Sequence, residues 1–174
     1  HLFGSSPESQ LLISDQKAVI SPIAGTYGRT GNDSSDREKA MELINDPKEN
    51  AEHVMLVDLA RNDLSRFASG VEVETFCQPQ FYSHLIHLVS KVTGNLKPGN
   101  SLFSVLSGTF PAGTLSGAPK HKAIELISTY ESTNRGFYGG CIGKIGFDNS
   151  LVHAIMIRTI LSMNNSLYYR TGAG

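Results

Sequence analysis

Glu49 and Glu52 stand three residues apart in the stretch "INDPKENAEH", residues 44 to 53, with His53 directly after them. Asp46 can cap a helix there, Pro47 suits its first position and Glu49 falls at N3, so the spacing predicts a helix carrying both carboxylates on one face. Glu49, Glu52 and His53 then gather at one end of a partly apolar stripe continued by Leu56 and Ala60, while residues 51, 54, 55 and 58 form another face. Paired oxygen donors of this kind suit Mg²⁺, which would take further oxygens from another carboxylate, water or an acidic ligand. Acidic residues in a first helical turn are also favoured by the macrodipole, which alone accounts for Glu49 and partly for Glu52.

Three other stretches bear on chemistry. In "GTLSGAPK" three residues separate Gly113 from Gly117, Ala118 and Pro119 precede Lys120, and His121 follows it, so the phosphate-loop spacing of nucleotide-binding proteins is not met. What remains is a glycine-rich turn entering a helix, either an anion-holding N-terminus or a plain loop before a proline-started helix. His87, between Ile86 and Leu88, is either a hydrogen-bonded core residue or an acid/base group. Arg158 interrupts "AIMIRTIL", and a guanidinium there has to meet a carboxylate, internal or brought by a ligand.

The elements that must position these residues are legible in outline. "QLLIS" and "AVISPIAGT" read as two strands joined at Ser14-Asp15, followed by a polar loop and by helices at 36–44 and 47–62 divided by an Asn-Asp-Pro breaker. "VEVETFCQP" and "HLVSKVTGNL" read as strands, "NSLFSVLSGTF" and residues 119–130 as helices, and "FYGGCIGKIGF", "LVHAIMIRTILS" and "LYYRTGAG" as a three-stranded meander. Strand pairs, then helices, then strands again predict an α+β fold with largely antiparallel pairing.

Composition narrows the class. With 174 residues, 40% hydrophobic, 18% charged and a net charge of −1, the chain has core enough for one domain or a large piece of one, and no basic patch to follow nucleic acid. No apolar run is long enough for a membrane span, because Asp58, Lys91 and Arg158 cut the greasiest stretches. Cys77 and Cys141 form neither a disulfide framework nor a metal spacing, which fits a reducing cytoplasm, and no signal peptide opens the chain. The start in mid-pattern and the finish on "YYRTGAG" are those expected of a fragment.

In this order, "SSPES", "PIAGT", "KENAEHVMLVDLARND", "FYSHLIHLVSKVTG", "GTFPAGTLSGAPKHKAIELI", "RGFYGGCIG", "AIMIRT" and the final "GAG" resemble the chorismate-utilising enzymes, most closely the anthranilate synthase large subunits, from about Phe3 to Gly174. The resemblance implies part of a sandwich of mostly antiparallel sheets with helices outside and the site between layers. It implies that Glu52 ligates Mg²⁺ directly and Glu49 through water, the metal gripping the ring carboxylate of chorismate. It makes Glu8 the general acid for the departing C4 hydroxyl and His87 the group assisting the later loss of pyruvate. Thr114, Tyr138 and Arg158 match substrate contacts, Arg158 to the enolpyruvyl carboxylate, and the amides of Gly172 to Gly174 match a second carboxylate cradle.

The same resemblance implies ammonia delivered by a glutamine amidotransferase partner, and a second direct metal glutamate beyond the "GAG" turn. Because this piece lacks that glutamate, it is expected to bind Mg²⁺ and chorismate poorly and to turn over little or not at all. Similar aminodeoxychorismate synthases usually carry a nucleophilic lysine where this chain has Ala24, so the resemblance points to direct addition of ammonia and an anthranilate product. Aminodeoxychorismate synthase and a catalytically silent chorismate-binding scaffold remain the alternatives, and isochorismate and salicylate synthases, which use water at a similar metal site, are less alike in "PIAGT" and "GTFPAGTLSGAPK".

Overall fold

Asp15 and Gln16 sit at φ 50° and 63°, two successive left-handed residues that close a tight hairpin between β2 (Ser9–Ser14) and β3 (Lys17–Ile20). A turn of that hand matches the twist of the flanking strands, and Ser14 pairs with Lys17 across it. In the computed structural model, which describes residues 1–172, the run expected as one strand after this turn is two, because Pro22 carries no N–H for a ladder. β3 and β4 (Ile23–Gly28) instead lie end to end along one side of β6 (Leu85–Leu96), and the Pro22 carbonyl accepts the Ser90 N–H between them.

β5 (Ala68–Phe81) covers the other side of β6, and beyond β3 the sheet continues through β2, β8 (Leu151–Ile155) and β7 (Cys141–Ile145). A smaller sheet joins β1 (Leu2–Gly4), β9 (Thr159–Met163) and β10 (Ser166–Tyr169). Every ladder among the described residues is antiparallel, as the α+β reading predicts.

The expected meander is the clearest departure. "LVHAIMIRTILS" is not one strand but β8 and β9, placed in different sheets and separated at Met156–Arg158, where Arg158 takes φ 50°. The apolar alternation runs across the break, so periodicity alone carried no sign of it.

Helices α1 (Asp33–Asn45) and α2 (Pro47–Ser65) begin as their sequences require: Asn32 caps the Ser34 and Ser35 amides, and Asp46 caps those of Lys48 and Glu49. Val57, Ala60 and Leu64 of α2 bury against Leu11, Ile13, Ala18, Val92 and Leu151 of the large sheet, with Val105 from α3 (Leu102–Thr109). Ala40 and Leu43 of α1 pack on Ile86 and Leu88. A short turn of helix, α4 (Gly113–Ser116), and α5 (Lys120–Tyr130) follow. No helix of the described residues is long and apolar enough to cross a membrane, and Cys77 and Cys141 are both free thiols.

Asp36 ties the start of α1 to the end of β4. It is 1% exposed and accepts the Thr30 N–H (2.6 Å), the Thr30 hydroxyl (2.9 Å) and the Arg29 Nε–H (2.8 Å). These bonds, the Thr30 amide foremost, hold its carboxyl at about 2. Since this lies below the value near 3.8 of an unpaired aspartate, the stabilisation is complete above about pH 4 and is lost as pH falls toward 2. Denaturant titrations of the chain against pH should show that slope, and Asp36→Asn should flatten it.

Candidate functional site

Glu8 is fixed where β2 begins. Its carbonyl accepts the Ile155 N–H at 3.0 Å, while the Ser5 N–H donates to the Arg158 carbonyl at 3.2 Å, so "SSPES" is laced to the β8–β9 break that carries Arg158. The Glu8 carboxylate accepts the Thr114 hydroxyl at 3.2 Å, from the short helical turn α4 and 106 residues away in the chain. Burial pushes the Glu8 carboxyl above its ordinary value, against the opposing pull of the Thr114 hydrogen bond and of the Arg158 and His87 charges.

His87 reaches the same place from β6. Ile86, Leu88 and Val92 enter the helix-covered cores, so strand alternation sends His87, between two of them, to the opposite face. Its Nδ1 lies 2.9 Å from the Gly25 carbonyl and 3.1 Å from the Thr26 hydroxyl. With the ring hydrogen assigned to Nδ1 and donated to Gly25, Nε2 is left as the basic nitrogen. Tyr82 meets the imidazole edge-on at 5.5 Å between centroids.

Gly25 makes this contact possible. It occupies a register shift between Ala24 and Thr26 at φ 68°, and a Cβ there would fall 2.8 Å from Leu43 Cδ1. Glycine adopts that backbone without strain and leaves the room that a Cβ would take from Leu43. Gly25, Thr26 and Tyr82 were not among the expected site residues, and the one signal for them was a glycine inside an otherwise β-branched run.

Glu8, His87, Arg158 and Ala24 together line a cavity of about 250 Å³, completed by Pro7, Ile23, Thr26, Tyr82 and Leu85. The Arg158 side chain, exposed at the β8–β9 break, has no hydrogen bond or ion pair with any described residue, so among them no internal carboxylate occupies its guanidinium. A guanidinium facing a cavity that also holds a carboxyl raised by burial and an imidazole can bind an anionic ligand, protonate a leaving oxygen and abstract a proton.

Other expected residues are placed differently. The Tyr138 hydroxyl donates to the Gly172 carbonyl at 2.8 Å, and the two stand together beside Leu115 rather than in the wall of the Glu8 cavity. Gly174 lies outside the described residues. On α2, His53 leaves the expected Glu49–Glu52–His53 cluster: it is fully buried, with Nε2 2.5 Å from the Ser90 hydroxyl, because position 53 begins the face that packs on the sheet.

Glu49 is half-buried with Oε2 against Gly25, and Glu52 is exposed. As two oxygen donors on one helix face, one braced and one open, they fit part of a hard-cation shell, and among the described residues no third acidic, histidine or cysteine side chain joins them.

Comparison with known proteins adds a second line of observation. Residues 1–174 match the family described as chorismate binding enzyme. Anthranilate synthase component 1 of Neisseria meningitidis is 46% identical over 176 residues, covering 100% of this chain and 36% of the relative. The crystal structure of anthranilate synthase component I from Streptococcus pneumoniae superposes with a TM-score of 0.86 at 36% identity, covering 95% of this chain and 37% of that one. A 2,3-dihydroxybenzoate-specific isochorismate synthase of Bacillus anthracis superposes with a TM-score of 0.82 at 25% identity, over 95% of this chain and 45% of that one. The chain therefore spans little more than a third of the curated relative it matches.

Proposed function

Because the chain belongs to the chorismate binding enzymes, we propose that it supplies part of the catalytic domain of an anthranilate synthase large subunit, which converts chorismate and ammonia to anthranilate and pyruvate. The observation that carries this reading is the convergence of Glu8, His87 and Arg158 on one cavity whose wall at position 24 is a methyl group.

In this reading Arg158 takes the enolpyruvyl carboxylate through its paired N–H groups. Glu8, whose protonated form burial favours, gives its proton to the C4 hydroxyl, which leaves as water while ammonia adds at C2. His87 Nε2 then removes the C2 proton, the ether C–O bond breaks, and enolpyruvate departs from the newly aromatic ring. Thr114 holds the Glu8 carboxyl in place, and the Tyr138 hydroxyl holds the Gly172 carbonyl. With Ala24 in the wall, position 24 offers no nucleophile, so ammonia rather than a lysine amine makes the new bond.

Glu52 and Glu49 would contribute oxygens to a Mg²⁺ ion, which would supply charge neutralisation for the ring carboxylate. The ammonia would come from a glutamine amidotransferase partner, in the cytoplasmic setting of tryptophan biosynthesis.

The test uses the complete natural protein with chorismate, Mg²⁺ and ammonium, the product being identified by mass and fluorescence. Anthranilate with pyruvate supports the reading. Aminodeoxychorismate without pyruvate places the chain in the other amine-using branch, and isochorismate makes water the nucleophile. In the same assay Glu52→Gln should lower Mg²⁺-dependent turnover at least about 100-fold, whereas a binding scaffold would have no turnover to lose.

A further inference from the structure

A second, smaller cavity of about 40 Å³ meets the first at Glu8 and Ile23, which line both. It runs from Glu8 toward α2, between Leu56, Leu59 and Ala60 on one side and Gln10 on the other. Gln10 is 3% exposed, and neither its Oε1 nor its Nε2 has a hydrogen-bond partner among the described residues. A carboxamide brings two N–H donors and two acceptor lone pairs, and burying all of them unmet is costly. The side chain arrives there because β2 shifts register on β8 between Ser9 and Leu11, two residues past Glu8.

Three of the other polar side chains in this wall already have partners, while the Ser9 and Ser21 hydroxyls also border it. Thr114 donates to Glu8 at 3.2 Å, Thr109 donates to the Val105 carbonyl at 3.0 Å, and Asp63 takes Lys120 Nζ at 2.6 Å. Gln10 is left as a buried polar group with room beside it and no hydrogen-bond partner among the described residues. A site of this size and polarity suits water, since one molecule needs about 10–15 Å³ and two to four polar partners.

We propose that this cavity is a water site, held by the Gln10 carboxamide, that receives the water released at Glu8 when the C4 hydroxyl leaves. It rests on the role given to Glu8 above. In that step the carboxyl proton passes to the C4 oxygen, the C4–O bond breaks with its electron pair on oxygen, and Glu8 is left as a carboxylate beside one new water. His87 and Arg158 face Glu8 from the substrate side, and Asp63 with Lys120 closes the cavity behind it. The small cavity therefore both drains the product water and solvates the carboxylate just formed.

The experiment uses the complete protein carrying Gln10→Met, which keeps the volume and removes the hydrogen bonds. The kcat for the ammonia reaction should fall about tenfold with the KM for chorismate unchanged. The alkaline limb of kcat/KM should move to higher pH, because the Glu8 carboxylate loses a solvating neighbour. A folded variant with unaltered kcat and pH limb would overturn the proposal. Should the variant fail to fold, a high-resolution crystal structure of the unmodified complete protein decides: ordered water between Gln10 and Glu8 supports the site, and a protein group satisfying the carboxamide overturns it. An unmodified protein that forms no product from chorismate and ammonia would overturn the reading of Glu8 first, and this role for the cavity with it.

Discussion

Replacing Glu8 with glutamine in the complete protein is expected to lower kcat for anthranilate formation by about 10²- to 10⁴-fold, the range supplied by a positioned general acid. The substitution is nearly isosteric, and its carbonyl oxygen can still accept the Thr114 hydroxyl that bonds Glu8 at 3.2 Å, so α4 keeps its anchor. What is lost is the transferable proton. The KM for chorismate should therefore change far less than kcat, since Arg158 is untouched.

The pH profile makes the same point independently. As the proposed general acid, Glu8 would act in its protonated form, so the wild-type rate should fall as pH rises through its pKa. Burial raises that pKa, which moves the falling limb to higher pH than an exposed glutamate would give. In Glu8→Gln that limb should vanish. A variant that keeps both a near-normal kcat and the limb would remove Glu8 from the mechanism.

How far the sequence reveals this site depends on the kind of signal each residue leaves. Asp46, Pro47 and Glu49 announce the start of α2 locally, through a cap, a fixed φ and a first-turn acid, and the structure places that start where those signals do. The exposed face at residues 51, 54, 55 and 58 follows from the same helical spacing. His53 does not, because a histidine at the edge of an apolar stripe turns inward only if something inside accepts it, and Ser90 lies on a strand 37 residues away.

The cavity itself is a long-range object. Glu8 and Thr114 meet across 106 residues, and His87 and Gly25 across 62, so no local pattern joins them. Family resemblance supplied Glu8, Thr114 and Arg158 as a set, and the fold then brought them to one place. The strand break at Arg158 was hidden for a related reason: its left-handed backbone is stabilised by the junction of two sheets, while "AIMIRTIL" reads locally as one strand. Tyr138 and Gly172 illustrate the opposite case, two expected substrate contacts that in this chain bond each other first.

Arg158→Ala in the complete protein is expected to cost about 1.5–3 kcal/mol in kcat/KM for chorismate, the range for a hydrogen bond to a charged group. The side chain has no described internal carboxylate to lose, so the change should fall on binding and catalysis rather than on the thermal midpoint. Arg158→Lys separates charge from geometry: both variants bear the same left-handed backbone at φ 50°, but lysine restores the cation without the paired N–H fork. It should recover only part of the loss. The Arg158 charge also favours ionised Glu8, so removing it raises the Glu8 pKa and moves the alkaline limb of kcat/KM to higher pH, a shift that lysine should largely reverse. Loss of activity in Arg158→Ala with no movement of that limb would mean that the guanidinium does not share a cavity with the acid. Movement of the limb with unaltered kcat/KM at its plateau would mean that it shares the cavity but does not hold the substrate.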